Sequence, residues 1–546
     1  MTGHHESRLK KAAARLVERL ADQTGIPPSG PNHGVKLLIH CTRGAGPNPS
    51  TIEDESYSLT VTPAGAHLNA TTPYGVLRGM ETLLQLVEPG PKGYQIPSVS
   101  IQDKPRFPWR GLLIDVCRHW IPLEVIKRNL DAMAAVKLNV LHWHLSDDQG
   151  FRVESQVHPL LHEMGSDGNY YSQDQVREII RYASDRGIRV VPEFDMPGHT
   201  TSWVVGYPSL ASGPGPYQIE RKWGIHEPEL DPTRESVYEF LDGLIGEMAA
   251  LFPDSYFHVG GDEVNGRQWD SSSAIADYKQ RQKLKDNRDL QAYFNKRVSS
   301  LLGKHGKKML GWEEILHPQL PKDTVVQSWR GQKSLAEAVQ RGYRGLLSSG
   351  YYLDLNYPAS THYLVDPIGE ETAALSAEDR AKILGGEACM WGEFVSAETI
   401  DSRLWPRLAA IAERLWSPAA VRDVPDMYRR LDITSQRLEW LGIKHRTGYA
   451  LMLQRLAGYQ PTTALKTLCD IVEPVKGYGR VQSRPYTSRT PLNRLVDAAR
   501  PESDQARRFA SLVKEFLADP DHRRNQETTR RRLLQWQGLR RRLEPL

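Results

Sequence analysis

One feature constrains this chain more than any other. Between residues 106 and 445 a short apolar run is followed by a helical segment, eight times over. The runs are RGLLID (110–115), LNVLHWHL (138–145), GIRVVPEFD (187–195), SYFHVGGDE (255–263), KKMLGWEE (307–314), TVVQSW (324–329), RGLLSSG (344–350) and ILGGEACMW (383–391). Between them the helical period returns. Val125, Ile126, Leu130 and Met133 share one face of a helix over 122–136. Ser172 and Gln175 form a capping box, with Gly187 past the helix end. Asp231-Pro232 opens a third helix, with Val237, Leu241, Leu244 and Met248 on its apolar face. Parallel strands need such crossovers. Eight β-then-α units predict a (β/α)8 TIM barrel, in the α/β class. The rival, a doubly wound open sheet, rarely needs eight units.

The chain is too long, at 546 residues, for a barrel alone. Residues 1–105 read as a small α/β domain. It has an opening helix, strands at KLLIHC (36–41) and SYSLTVT (56–62), and a helix expected over 74–88. Residues 446–546 read as a mainly helical C-terminal region. In it RRRLLQWQGLRRRL (530–543) is expected to dock through Leu533, Trp536 and Leu543, with its arginines in solvent. Contact with an anionic glycan is the alternative for those arginines.

The net charge of +4, from 70 basic and 66 acidic residues, supplies no general attraction to nucleic acid or membranes. No run approaches the roughly 18 apolar residues of a membrane span. The first 25 residues form an amphipathic pattern without a signal-peptide core. The protein is expected to be soluble, and cytoplasmic unless a signal preceded this sequence. Cys41, Cys117, Cys389 and Cys469 are far apart with no CxxC, so neither a zinc site nor a disulfide framework is expected. A homodimer is compatible with the sequence, which carries no signature for one.

In a TIM barrel the site sits at the C-terminal ends of the strands. Those ends are rich in polar and aromatic residues here. They carry Arg118 and His119, then His142, Trp143, His144, Asp147 and Asp148, then Glu193, Asp195 and His199. The fourth carries Asp262 and Glu263 after two glycines. The rest carry Trp312, Trp329, Tyr351, Tyr352, Asp354, Trp391 and Glu393. Aromatic faces stack on the C–H face of a sugar ring, carboxylates and arginine bond hydroxyls, and paired acids suit glycoside hydrolysis. Two other readings stand beside this one. His142, His144 and Asp147 are a candidate metal site for a hydrolase that a chelator would inhibit. A non-catalytic sugar-binding protein would need the acid pair broken, and it is intact.

The motifs RGLLIDVCRHWIP, LNVLHWHLSDDQGFRVES, VPEFDMPGHT, HVGGDEV, GWEEI, VQSWRG, SGYYLDL and GGEACMWGE resemble the blocks of family 20 glycoside hydrolases, in order, over residues 105–440. The resemblance implies an exo-acting β-N-acetylhexosaminidase that removes terminal GlcNAc or GalNAc from a glycan without metal or cofactor. It implies a retaining, substrate-assisted mechanism, in which the 2-acetamido oxygen is the nucleophile. Glu263 would be the acid and base, and Asp262 would orient the acetamido group. Tyr352 would bond its carbonyl, and Trp312, Trp329 and Trp391 would wall the pocket. Arg118, Asp354 and Glu393 would bind outer hydroxyls. His199 and Asp147 would form a relay behind the acid. The Gly- and Pro-rich stretch from Met196 to Asp231, with Trp203 and Trp223, is expected to shape the leaving-group side.

Overall fold

In the computed structural model, which describes residues 1–4, 6–28, 36–91, 93–539 and 543, the eight runs become eight parallel strands. They are Trp109–Asp115, Val140–Asp147, Arg189–Phe194, Tyr256–His258, Lys308–Trp312, Val325–Ser328, Arg344–Leu347 and Ile383–Met390. Each pairs with the next, and the eighth pairs with the first (Gly385 with Trp109), so the sheet closes. Closure excludes the open doubly wound sheet. It also explains the apolar runs, because helices cover the outer face and side chains fill the inner one. A two-residue strand, Gly150–Phe151, folds back antiparallel on the second.

The barrel interior is layered. Trp109, Val140, Val191, Tyr256, Leu310, Val325, Leu346 and Leu384, one residue from each strand, form an apolar plug. Alternate residues of a strand share a face, so His142 and His144 follow Val140 on the inner side. There they meet Glu193, His258 and Glu387, all fully buried or nearly so.

Several element ends differ from expectation. The capping box at Ser172 is present, with Gln175 N 3.2 Å from Ser172 Oγ and Ser172 N 2.9 Å from Gln175 Oε1. The helix expected from Asp231-Pro232 instead begins at Glu235. The Asp231 carboxylate is occupied by Thr233, accepting from its N at 2.9 Å and its Oγ1 at 2.6 Å. The helix expected over 74–88 is Pro73–Gln85, capped by Thr72, and Glu88 already belongs to a short strand. The fourth barrel strand ends at His258, short of the glycines.

The N-terminal part is a five-stranded mixed sheet. Two helices, Ser7–Thr24 and Pro73–Gln85, pack on it through Leu9, Leu16, Val76 and Met80. It is joined to the barrel through buried charge. Glu55 Oε2 lies 2.6 Å from both Arg78 and Arg110, and Asn139 donates to Glu55 Oε1 at 2.9 Å. Burial alone would raise the Glu55 pKa, but Arg110 and Arg78 overcome it and hold it at about 2.

The C-terminal part is helical over Thr447–Ala457, Thr463–Cys469, Asp504–Ala518 and Arg523–Gln537. Trp536 packs on Phe509 with ring centres 4.4 Å apart, and Leu543 packs beside the cluster around Tyr449 and Met452. Leu533 does not dock as expected and is 50% exposed, because this helix leans on its neighbour through Trp536. Arg540, Arg541 and Arg542 lie outside the described residues. Among the described residues no helix is long and apolar enough to cross a membrane.

Candidate active site

The two glycines before the acids are there for geometry. Gly260 and Gly261 have φ of +63° and +92°, and Glu263 has +51°. This is the left-handed region, which glycine enters freely and other residues enter under strain. Space is the second reason. A Cβ on Gly260 would lie 1.8 Å from Asp195 Oδ1, and one on Gly261 would lie 2.6 Å from Ile315 Cγ2. Asp195 uses the close approach to accept from Gly261 N at 2.9 Å. The turn lets two adjacent residues, which a straight strand would point apart, face the same cavity.

That cavity, of about 360 Å³, is lined by Asp262, Glu263, Trp312, Trp329, Trp391, Tyr352, Arg118, Asp354 and Glu393. Trp312 and Trp391 have ring centres 5.8 Å apart, and Tyr352 and Trp391 6.3 Å apart. The wall is held rigidly. Trp312 Nε1 donates to Glu193 at 3.0 Å, and Trp329 Nε1 donates to Glu314 at 3.2 Å. The Arg118 guanidinium lies over Trp391 at 5.1 Å and bonds Asp147 at 2.8 Å.

Behind the acids sits His199, another non-glycine residue with positive φ, at +53°. Its Nδ1 is 3.1 Å from Asp148 and 3.3 Å from Asp147, and its Nε2 is 3.6 Å from Glu263 and 3.9 Å from Asp262. Burial would lower its pKa, but Asp147 above all raises it well beyond the usual range for histidine. The two catalytic candidates respond differently. The His199 imidazolium beside it pulls Glu263 below its ordinary value, whereas burial raises Asp262. Burial, then the Glu393 charge, also raises Asp354 well above the carboxylate range. Burial raises Glu393 against the pull of Arg118.

His142 and His144 are committed to carboxylates. His142 lies 2.6 Å from Glu387 and 3.0 Å from Glu193, and His144 lies 2.5 Å from Glu193 and 2.8 Å from Asp147. His142, Glu193 and His258 gather donor atoms in one place, as do Asp147, Asp148 and His199. His142, His144 and Asp147 do not converge as the metal reading required. Asp147 meets His144 but also faces Arg118 and His199.

The family profile described as "Glycosyl hydrolase family 20, catalytic domain" matches residues 107–419, and that described as "Glycosyl hydrolase family 20, domain 2" matches residues 4–104. A chitobiase from Flavobacterium johnsoniae has a similar structure, with a TM-score of 0.96 and 42% identity, covering 100% of this chain and 85% of that one. A β-hexosaminidase from Porphyromonas gingivalis is 36% identical over 72% of this chain, which spans only 55% of that protein. Mouse β-hexosaminidase subunit β is 39% identical over 73% of this chain and 76% of its own length. The chain belongs to glycosyl hydrolase family 20.

All nine residues expected to touch substrate in this family 20 chain line the one cavity, and His199 and Asp147 stand behind it. Of the two tryptophans noted in the Met196–Asp231 stretch, Trp223 lines the cavity. Trp203 does not, being fully buried against Phe151 with ring centres 5.5 Å apart. Sequence reasoning left three contributors without a role. Asp148 shares His199 with Asp147 and anchors Thr201, accepting from its N at 3.0 Å. Glu314 locks the Trp329 ring, and burial and then Asp262 push it up to about 7. Gly477, Tyr478, Val481 and Gln482 close one side from far beyond the barrel. The doubled acids in SDD and WEE were the available signal for the first two. No motif marked the third.

Proposed function

We propose that this protein is an exo-acting, retaining β-N-acetylhexosaminidase using its substrate's acetamido group as nucleophile. One observation carries the reading. Asp262 Oδ1 and Asp354 Oδ1 are buried in the cavity wall without a hydrogen-bond partner. Buried polar atoms are rarely left so, and a ligand would complete them. In a tryptophan-walled pocket the complement is a ring that carries O–H or N–H donors. The names of its relatives, β-hexosaminidase and chitobiase, agree with this.

Glu263 donates a proton to the glycosidic oxygen as that bond breaks. The acetamido oxygen attacks the anomeric carbon from the other side, forming an oxazolinium ion. Asp262 accepts the acetamido N–H and offsets the developing positive charge. Tyr352 steadies the acetamido oxygen. Water, deprotonated by Glu263, then opens the ring with overall retention. Arg118, Asp354 and Glu393 hold the outer hydroxyls, and the closed end restricts cleavage to one terminal residue.

In the free protein burial raises the pKa of Asp262, and His199 lowers that of Glu263. Bound substrate acts on both in the opposite sense. An acetamido N–H stabilises the Asp262 anion, and a sugar covering Glu263 removes water from its carboxyl and raises its pKa.

The test is nitrophenol release from the β-GlcNAc glycoside, with the β-glucoside as control, for wild type and Glu263→Gln. Activity on the acetamido sugar alone, falling by on the order of 10³-fold in the variant, is expected. Equal activity on the glucoside would mean that an enzyme carboxylate is the nucleophile.

A further inference from the structure

The family profiles end at residue 419, yet residues 477–482 help to line the catalytic cavity. The segment is seated there by its own bonds. Gly477 N donates to Leu355 O at 3.0 Å, and Asn356 Nδ2 donates to Val475 O at 3.1 Å. Both partners follow Asp354 directly in the chain. Arg480 is buried. It pairs with Asp497 at 2.7 Å and lies over the Phe394 ring at 4.4 Å, next to Glu393 in sequence. Arg403 of the barrel holds the far side, donating to Ala499 O at 2.6 Å and Asp497 O at 2.9 Å.

On this anchored strap stands Tyr478, a cavity-lining ring that is 63% exposed. Among the described residues no ring or cation stacks on it and nothing hydrogen-bonds its phenol. Around it are the acids assigned to the outer hydroxyls. Burial, then Asp354, Glu393 and Glu263 in that order, push the phenol up to about 12. A neutral phenol lining the same cavity as those acids is a donor where the sugar hydroxyls would lie.

Resting on the reading of this site as an exo-hexosaminidase, we propose that Tyr478 is a specificity-determining residue. It closes the pocket over the outer end of the terminal sugar, and its phenol hydrogen-bonds the C4 or C6 hydroxyl beside Asp354 and Glu393. The exo pocket is then completed by a residue C-terminal of the barrel.

The test uses the full chain with Tyr478→Ala and Tyr478→Phe, on nitrophenyl β-GlcNAc and its 4-deoxy and 6-deoxy analogues. A contact made equally in the ground and transition states changes KM and not kcat, so Tyr478→Ala should raise KM about tenfold with kcat within about twofold. Tyr478→Phe should raise KM on the parent glycoside and lose that penalty on one deoxy analogue. Thermal melting of both variants should match wild type, since the ring is exposed. A KM within about twofold of wild type for Tyr478→Ala, or a Phe penalty kept on both analogues, overturns the proposal. Failure of the wild type to cleave the acetamido glycoside would instead overturn the reading of the site itself, before any variant is compared.

Discussion

His199 acts on both members of the acid pair. Its Nε2 lies within 3.6 Å of Glu263 and 3.9 Å of Asp262. Its positive charge pulls Glu263 down and opposes the burial that raises Asp262. The two limbs of the pH profile report an ionised Asp262 and a protonated Glu263. Removing the imidazolium takes away a charge that favours ionisation at both sites. In His199→Ala the whole bell of kcat/KM against pH should therefore move to higher pH, and its maximum should fall by on the order of 10²-fold. A profile that falls in height without moving would make His199 a purely steric support. Both His199 and Glu263 sit at positive φ. Such strain costs about 1–3 kcal/mol and persists where the surroundings over-determine it. Here those surroundings are Asp147 and Asp148 on one side and the glycine turn on the other.

The element that matters most is the turn after the fourth strand. The strand stops at His258, and the chain turns through Val259 to Gly261 before the acids. Gly260→Ala is the sharpest probe of it. The added methyl would lie 1.8 Å from Asp195 Oδ1, so the carboxylate or the turn must move. A displacement of about 1 Å at a catalytic group can cost on the order of 10²-fold in rate. We expect kcat to fall by at least that much, with a lower melting temperature. Activity within about threefold of wild type would show that the close approach does not set the acids' position. The need for glycine at this turn was readable from HVGGDEV. The obstacle was not, because Asp195 arrives from the third strand and Ile315 from the loop after the fifth.

At the scale of the molecule, the N-terminal sheet and the barrel share a buried charge cluster of Glu55, Arg78 and Arg110. Glu55 has a depressed folded pKa, about 2 against an ordinary 4.5. Its contribution is therefore full above the ordinary value and is lost as pH falls through the folded one. The shift corresponds to about 3 kcal/mol. Glu55→Gln, a mimic of the protonated state, should melt well below wild type at pH 7, and calorimetry should show the gap narrowing toward pH 3. An equal gap at both would place the loss in packing and not in charge. Such a joint is invisible to a linear reading, since Glu55 and Arg110 stand in different structural units and nothing in either neighbourhood names the other.

By itself the sequence determined the architecture and the chemistry. Periodicity is a local property, so eight apolar runs, most of them separated by helices, were enough to specify a closed barrel, although only the short 3-10 turn Glu313–Ile315 lies between the fifth and sixth strands; barrel geometry then gathered the strand ends at one mouth. Family motifs carried the identities of the acids, the tryptophans and the arginine, because each lies within a few residues of a strand end. Tertiary structure alone decided the rest. It sent Trp203 into the core and Trp223 to the cavity, although both lie in one loop. It gave His144 to Asp147 and Glu193, satisfying its nitrogens with carboxylates. It also brought Tyr478 to the rim across more than 100 residues from Asp354, through a backbone bond from Gly477 and the side chains of Asn356 and Arg480. Pairings between distant segments depend on closure and packing, and these leave no period in the chain.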